Sequence, residues 1–390
     1  MKILFWIFFF IIIYSYVIYP IILLLLSWIR KLFPLPEFEK PLKEFEPEVT
    51  LFVAAYNEAD FIEQKIKNSL SLNYPPAKIN HVWITDGSND GTPEILKKHH
   101  HLQVYHQPER NGKTGAINRG MQFITTPIVI FSDANSILNK DSIRFIVNAF
   151  MDPKVGCVAG EKRIKSKNKE NAVNAGEGIY WRYESLIKNC ESDIYSAIGA
   201  VGELFAIRTE LFDIIETDTI LDDFIISMRI ALKGFRIKYE PRAIATEGSS
   251  VNIKEELKRK TRIAYGGFQS IGRLKQLLNF IKYPRLSFLY ISHKIIRWTA
   301  LPFSFIFIFI INFYLAYTNN WESLFSILFV LQLIFYSFVI MGAALQKTQT
   351  NLKFFFAPYY LFIMNYAEFI GFIRFVRKKQ SINWERAKRE

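Results

Sequence analysis

Four stretches of this chain carry side chains whose types and spacing could do chemistry. Phe131-Ser132-Asp133-Ala134-Asn135-Ser136 follows the apolar or small residues Pro127-Ile128-Val129-Ile130. A strand that runs into a carboxylate and a carboxamide presents hard oxygen ligands at its carboxyl edge, where open α/β sheets bind ligands. Asp133 and Asn135 are thus candidate ligands for Mg²⁺ or Mn²⁺, with water and substrate phosphates supplying the remaining oxygens. An Asx turn would use the same letters. Asp86 opens the Gly- and Ser-rich turn Asp86-Gly87-Ser88-Asn89-Asp90-Gly91-Thr92, where it can accept hydrogen bonds from a base or ribose. Lys113 follows Gly112 in a loop that opens a helix, where a cation and free N–H groups meet phosphate. Asp222 and Asp223 place two carboxylates at the start of a helix, which suits the helix dipole and equally suits a general base. Adjacent helical residues diverge, so one is expected to face a site while the other caps or packs. The glycine spacing fits neither a Walker loop nor a dinucleotide fingerprint.

The elements that must position these groups alternate. Val49-Thr50-Leu51-Phe52-Val53-Ala54-Ala55-Tyr56 reads as a near-continuous apolar strand, buried on both faces. Asn57-Glu58-Ala59-Asp60 starts a helix with Asp60 as its N-cap and an apolar stripe of Ile62, Ile66 and Leu70. His81-Val82-Trp83-Ile84-Thr85 is a second strand and Val104-Tyr105-His106 a third, each followed by a helix, and the strand at 127–131 closes the unit. Strands alternating with helices give a parallel sheet with right-handed crossovers. Asp86 and Asp133 then share one edge of it.

In their order, Val53-Ala54-Ala55-Tyr56-Asn57-Glu58, Thr85-Asp86-Gly87-Ser88-Asn89-Asp90-Gly91-Thr92, Asn111-Gly112-Lys113-Thr114-Gly115-Ala116-Ile117-Asn118 and Ser132-Asp133-Ala134-Asn135 resemble the motifs of family 2 glycosyltransferases, over most of residues 48–265. The resemblance implies an α/β fold of the GT-A kind, a Rossmann-like mixed sheet with flanking helices. It also implies a nucleotide-sugar donor, a divalent metal and transfer with inversion. On it, Asp86 would hold the uridine, and Asp133 the ribose, diphosphate or metal. Ala55, Tyr56, Glu58 and Lys113 fall on the donor side. Asn135 departs from the acidic pattern Asp-x-Asp and brings less charge to a metal. Asp222-Asp223 followed by Ile226-Ser227-Met228-Arg229 resembles the family's acidic pair, which assigns the base to Asp223. Glu203, in Gly199-Ala200-Val201-Gly202-Glu203-Leu204, and Trp181, on a helix face with Glu177 and Glu184, fall on the acceptor side with Asp222. Arg259 and Arg262 stand where processive synthases carry Gln-x-x-Arg-Trp. Arg262 would hold the departing diphosphate, Arg259 replaces the Gln on the donor side, and Ile263 replaces the Trp.

Hydrophobic residues make up 50% of the 390 and are unevenly spread, and the net charge is +13. Residues 3–29 form an apolar run too long for a signal-peptide core, read as a retained anchor. Runs at 298–317, 323–345 and 354–376 are each long enough to cross a bilayer. The expected organisation is an anchor over 1–30, a catalytic domain over 45–270, an interfacial amphipathic segment over 271–297, transmembrane helices over 298–376 and a basic tail over 377–390. Arg30 and Lys31 place the catalytic domain on the cytosolic side, and the basic tail calls for the same side. One late run is therefore expected not to cross as a simple span, with Ser381, Trp384 and Arg386 returning to the donor face. No nucleic-acid motif accompanies the charge. Cys157 and Cys190 lack metal spacing, and His99-His100-His101 diverge around a turn.

The sequence reads as a multi-pass plasma-membrane glycosyltransferase. It would move sugar from a nucleotide-sugar, a UDP-sugar, to a saccharide or lipid-linked acceptor for cell-surface polysaccharide. A processive synthase that extrudes its product is the alternative within enzymes. A non-catalytic nucleotide-sugar-binding scaffold is the alternative outside them, against which Asp133, Asp223 and Arg262 argue.

Overall fold

The computed structural model describes residues 1–33, 45–165, 172–321, 323–345 and 353–379. Eight strands form one sheet: β1 Val49–Ala55, β2 Ile79–Asp86, β3 Gln103–Gln107, β4 Ile128–Asp133, β5 Ile137–Leu138, β6 Val155–Lys165, β7 Leu204–Arg208 and β8 Arg236–Gly248. Their order across the sheet is β3-β2-β1-β4-β7-β6-β8-β5. The first four are parallel, as the alternation of elements requires. β7 then runs antiparallel to both β4 and β6, β8 parallel to β6, and β5 antiparallel to β8. The sheet is thus mixed, and its parallel half carries Asp86 and Asp133 at the carboxyl ends of β2 and β4.

Among the described residues, twelve helices of six residues or more accompany these strands. α1 is Lys2–Leu32, with a π turn at Tyr14–Ile18. On the sheet lie α2 Ala59–Leu70, α3 Thr92–Lys97, α4 Gly112–Gly120, α5 Ser142–Ala149, α6 Ala172–Ile194 and α7 Asp222–Leu232, and α8 Ile253–Arg273 comes next in the chain. α9 Pro284–Tyr290, α10 Ala300–Thr318, α11 Leu324–Leu345 and α12 Lys353–Val376 follow. Every residue of β1 is buried, because both faces of the parallel half are covered. Phe52 and Ala54 enter one apolar layer and Leu51 and Val53 the other, as the two-residue period of a strand dictates. Asp60 is not the N-cap of α2. It sits in the first turn, and the α2 N-terminus is satisfied from the next loop, where the Ala59 N–H donates to Asp90 Oδ2 at 3.0 Å.

Among the described residues, three helices are long and apolar enough to cross a membrane: α1, α10 and α11. The fourth run forms α12, which carries Asn365, Glu368 and Arg374 and does not join that set among the described residues. It lies along α8. Tyr360 donates to Glu256 Oε1 at 3.0 Å, and Phe372 and Phe375 pack on Phe268. At Gly371 a β-carbon would stand 2.4 Å from that of Ala264, so only glycine allows this approach. α6 ties the apolar helices to the sheet: Tyr19 of α1 donates to Glu191 at 2.7 Å, and Glu184 pairs with His293, Lys294 and Arg297. Residues 380–390, with Ser381, Trp384 and Arg386, lie outside the described residues.

Candidate active site

The edge formed by β2 and β4 opens on two connected arrangements. In the first, Asp86 Oδ2 accepts from the N–H groups of Asn111 at 2.9 Å and Gly112 at 2.7 Å. Its Oδ1 is buried without a partner. Burial raises the Asp86 carboxyl above its usual range, with the two N–H groups pulling the other way. Gly87 has φ +68°, and a β-carbon there would meet that of Arg110 at 2.7 Å, so the turn after Asp86 requires glycine. The Arg110 guanidinium lies 3.8 Å from the centre of the Tyr56 ring. Ala55, Tyr56, Asp86 and Lys113 line one narrow recess. Glu58, beside it, is fully buried, and its N–H donates to Thr92 Oγ1 at 2.9 Å.

The second arrangement is a cleft of about 490 Å³ whose lining includes Asp133, Asn135, Asp222, Asp223 and Arg262. Lys113 also lines it, 2.8 Å from Asp133 Oδ1 and 3.5 Å from Asp222 Oδ2. Burial acts to lower this ammonium, but Asp133, Asp222 and Asp223 outweigh it and hold it above its ordinary range. For Asp223 the balance falls the other way. Burial, then the charge of Asp222, raise its carboxyl to about 7 against the pull of Lys113. Divergence on α7 does not turn either carboxylate away, since both line the cleft. Gly202 makes room for them: a β-carbon there would lie 3.3 Å from Lys113 Nζ and 3.5 Å from Asp223 Oδ2.

Arg262, on α8, has its Nε buried without a partner. Burial lowers its guanidinium, and Asp222, Asp133 and Asp223 act against that. Arg259, one turn earlier, is committed elsewhere: it pairs with Glu177 at 3.0 Å and Glu256 at 3.1 Å. Glu203 pairs with Lys162, which also holds Glu247 at 2.8 Å. Trp181 lies between Lys162 at 5.0 Å and Lys260 at 5.6 Å, with its indole N–H buried and unpartnered. His99 to His101 make a ring contact and a single approach to Glu63. No cluster of three metal-ligating side chains occurs among the described residues.

The glycosyltransferase-like family 2 model matches residues 47–266, the segment that contains every one of these groups. The chain belongs to that family. Its relatives include a poly-β-1,6-N-acetyl-D-glucosamine synthase of Staphylococcus aureus, 31% identical over 58% of this chain and 56% of the relative. The chain therefore spans little more than half of that protein. The synthase of the same name from Staphylococcus epidermidis is 28% identical over 70% of this chain and 72% of its own length. Among solved structures, a Pyrobaculum calidifontis mannosyltransferase in complex with GDP-Man and Mn²⁺ aligns over 92% of this chain and 95% of its own. Its TM-score is 0.65 at 23% identity. That likeness is one of fold, and the mixed sheet of this glycosyltransferase is the GT-A sheet.

The transferase offers a divalent metal one carboxylate and one carboxamide. Asn135 Oδ1 is buried without a hydrogen-bond partner, the state expected of an oxygen meant for a cation. Asp133 Oδ1 pairs with Lys113 at 2.8 Å. The residues fit a metal that takes its other ligands from phosphate and water. Trp298, Tyr180, Lys188 and Glu368 also line the cleft, and the motifs gave no sign of them. Trp298 opens an apolar run, so hydropathy absorbed it. Here it packs edge-on against Phe224 of α7 at 5.4 Å.

Proposed function

We propose that this enzyme transfers a sugar from a UDP-sugar, with inversion, to a saccharide at the membrane face, for cell-surface polysaccharide. The observation that carries the reading is the opposed pair at the head of α7 and α4: a carboxylate raised to about 7 beside an ammonium held charged. Asp223 is poised to take a proton near neutral pH, and Lys113 to stay a cation through turnover.

In this mechanism the free Oδ1 of Asp86 accepts a hydrogen bond from the uridine. Lys113 and Arg262 lie along the diphosphate. The acceptor hydroxyl enters on the Asp223 side, and Asp223 removes its proton as the oxygen bonds to the anomeric carbon. The bond from that carbon to the UDP oxygen breaks on the opposite face, which inverts the centre. The electron pair leaves on UDP, where Lys113 and Arg262 stabilise it. A divalent cation held by Asp133 and Asn135 would add charge neutralisation at the diphosphate. Arg259, engaged by two glutamates, supports α8 beside Arg262.

The relatives' names favour N-acetylglucosamine as the sugar. Chain extension is favoured by the cavities. The cleft and a second cavity of about 460 Å³ share Tyr180, Lys294, Trp298, Met364 and Glu368. The second is also lined by Tyr16 of α1 and Phe335 of α11, so a path leads from the carboxylates toward the apolar helices. A product lengthening from the cleft would follow it, with Trp298 in place of the aromatic that Ile263 lacks. Purified enzyme in lipid vesicles, given UDP-N-acetylglucosamine and a short β-linked primer, should yield β-linked products of many sizes by mass spectrometry and NMR. A single added residue would reject extension, and an α-linkage would reject inversion.

A further inference from the structure

Where α1 leaves its apolar run, a groove of about 800 Å³ opens on the side of the molecule built by α1, α6, β8 and α9. It shares no lining residue with the catalytic cleft. Leu26 and Ile29 of α1 and Phe33 just beyond it, with Phe288 and Leu289 of α9, give it an apolar wall, and Arg30, Arg236, Lys238 and Arg285 a cationic one. Asp152 and Asp193 are the carboxylates on its lining. Both are in use: Asp193 accepts from Ser27 at 3.1 Å and pairs with Lys31 at 3.5 Å, and Asp152 Oδ1 accepts the Lys154 N–H at 2.8 Å.

Among the described residues, Arg236, Lys238 and Arg285 form no ion pair. Arg236 and Arg285 lie 5.7 Å and 5.8 Å from the centre of one ring, that of Tyr195. Both guanidiniums keep their charge without a carboxylate partner, and an anion in the groove would supply one. Arg30 turns its guanidinium back to the Phe33 carbonyl at 2.9 Å, at the rim where the apolar and charged walls meet. Beside α9 the chain exposes Phe280 at 49% and Ile281 at 96%. Side chains so apolar and so open suit the acyl boundary of a bilayer rather than water.

We propose that this groove binds the headgroup of an anionic glycerophospholipid from the leaflet that faces the catalytic domain. The phosphate meets Arg236 and Arg285 across Tyr195, and the acyl chains lie along Leu26, Ile29 and Phe288. The inference rests on α1 crossing the membrane and not on the chemistry assigned to Asp223. Basic pockets beside membrane helices are the usual seats of such headgroups. Charge complementarity selects the class: neutral choline lipids lack the net negative charge that the unpaired cations require.

The full-length protein in a neutral detergent, titrated with short-chain phosphatidylglycerol and followed by native mass spectrometry, tests this. Saturable binding is expected, weakening as salt rises, with short-chain phosphatidylcholine binding at least about tenfold more weakly. Arg285→Ala, at an exposed position, and Arg236→Ala should each reduce phosphatidylglycerol affinity by about five- to tenfold. Lys97→Ala, on α3, should leave it unchanged, and UDP binding reports folding in every variant. Equal affinity for the two lipids, or unaltered affinity in both arginine variants, would overturn the proposal. Inorganic phosphate competing as strongly as phosphatidylglycerol would make the groove a site for free anions and overturn the lipid assignment.

Discussion

Asp223 and Lys113 place opposite demands on one small volume, and the chemistry follows from how those demands are met. A base must be deprotonated to act, so kcat/KM should fall as pH drops through about 7, where the Asp223 carboxyl is held. Above that the rate should be flat until another group titrates. Asp222→Asn removes the second contributor to the shift, and the limb should move to lower pH. An unmoved limb would mean that the charge of Asp222 does not raise the Asp223 carboxyl. Asp223→Asn keeps the size and removes the basicity, so kcat should fall by about 10³-fold or more with donor affinity nearly intact. Arg262→Ala should cost about 10²- to 10³-fold in kcat. Asp133→Ala should weaken donor binding and remove any response to Mg²⁺ or Mn²⁺, as titration of UDP-sugar with and without EDTA would record. The positions of Asp86 and Asp133 at strand ends were legible because the apolar runs of β2 and β4 stop there, and those of Lys113 and Asp223 because each lies in the first turn of its helix. The engagement of Arg259 was not, since Glu177 reaches it from 82 residues away.

At the scale of elements, α8 is the hinge of the account. It carries Arg262 into the cleft and is backed along its length by α12. Gly371→Val would drive a branched side chain into Ala264, where even a single β-carbon has 2.4 Å. Overpacking of this kind costs about 1–3 kcal/mol. The expected result is a lower melting temperature and reduced turnover, with UDP affinity retained because the recess around Asp86, proposed for the uridine, is built apart from α8. Unchanged turnover would show that α12 does not position α8. The parallel strands were readable from their unbroken apolar runs. The antiparallel return of β7 was not, because a short buried strand reads the same in either direction. The source of the α2 cap was hidden for a similar reason: Asp90 is close only after β2 has crossed back beside β1.

The whole molecule joins a glycosyltransferase domain to apolar helices, and its orientation decides which substrates it meets. Hydropathy made α1, α10 and α11 plain. It also offered α12, whose buried contacts with α8 and whose Glu368 and Arg374 belong to a helix held against the catalytic domain. Arg377→Cys should therefore be protected from an impermeant maleimide in intact cells, while Thr318→Cys, at the far end of α10, should be labelled. Native Cys157 and Cys190 are buried and give little background. Labelling at 377 from outside would place that end of α12 away from the donor. The most direct test of the central claim is nucleotide release by the purified protein in lipid, measured across a panel of UDP- and GDP-sugars for the wild type and Asp223→Asn. UDP release coupled to glycan formation is expected with a UDP-sugar, dependent on a divalent cation and lost in Asp223→Asn while that variant still binds UDP. Turnover of Asp223→Asn at the wild-type rate, or donor binding without release from any nucleotide sugar, would contradict that claim.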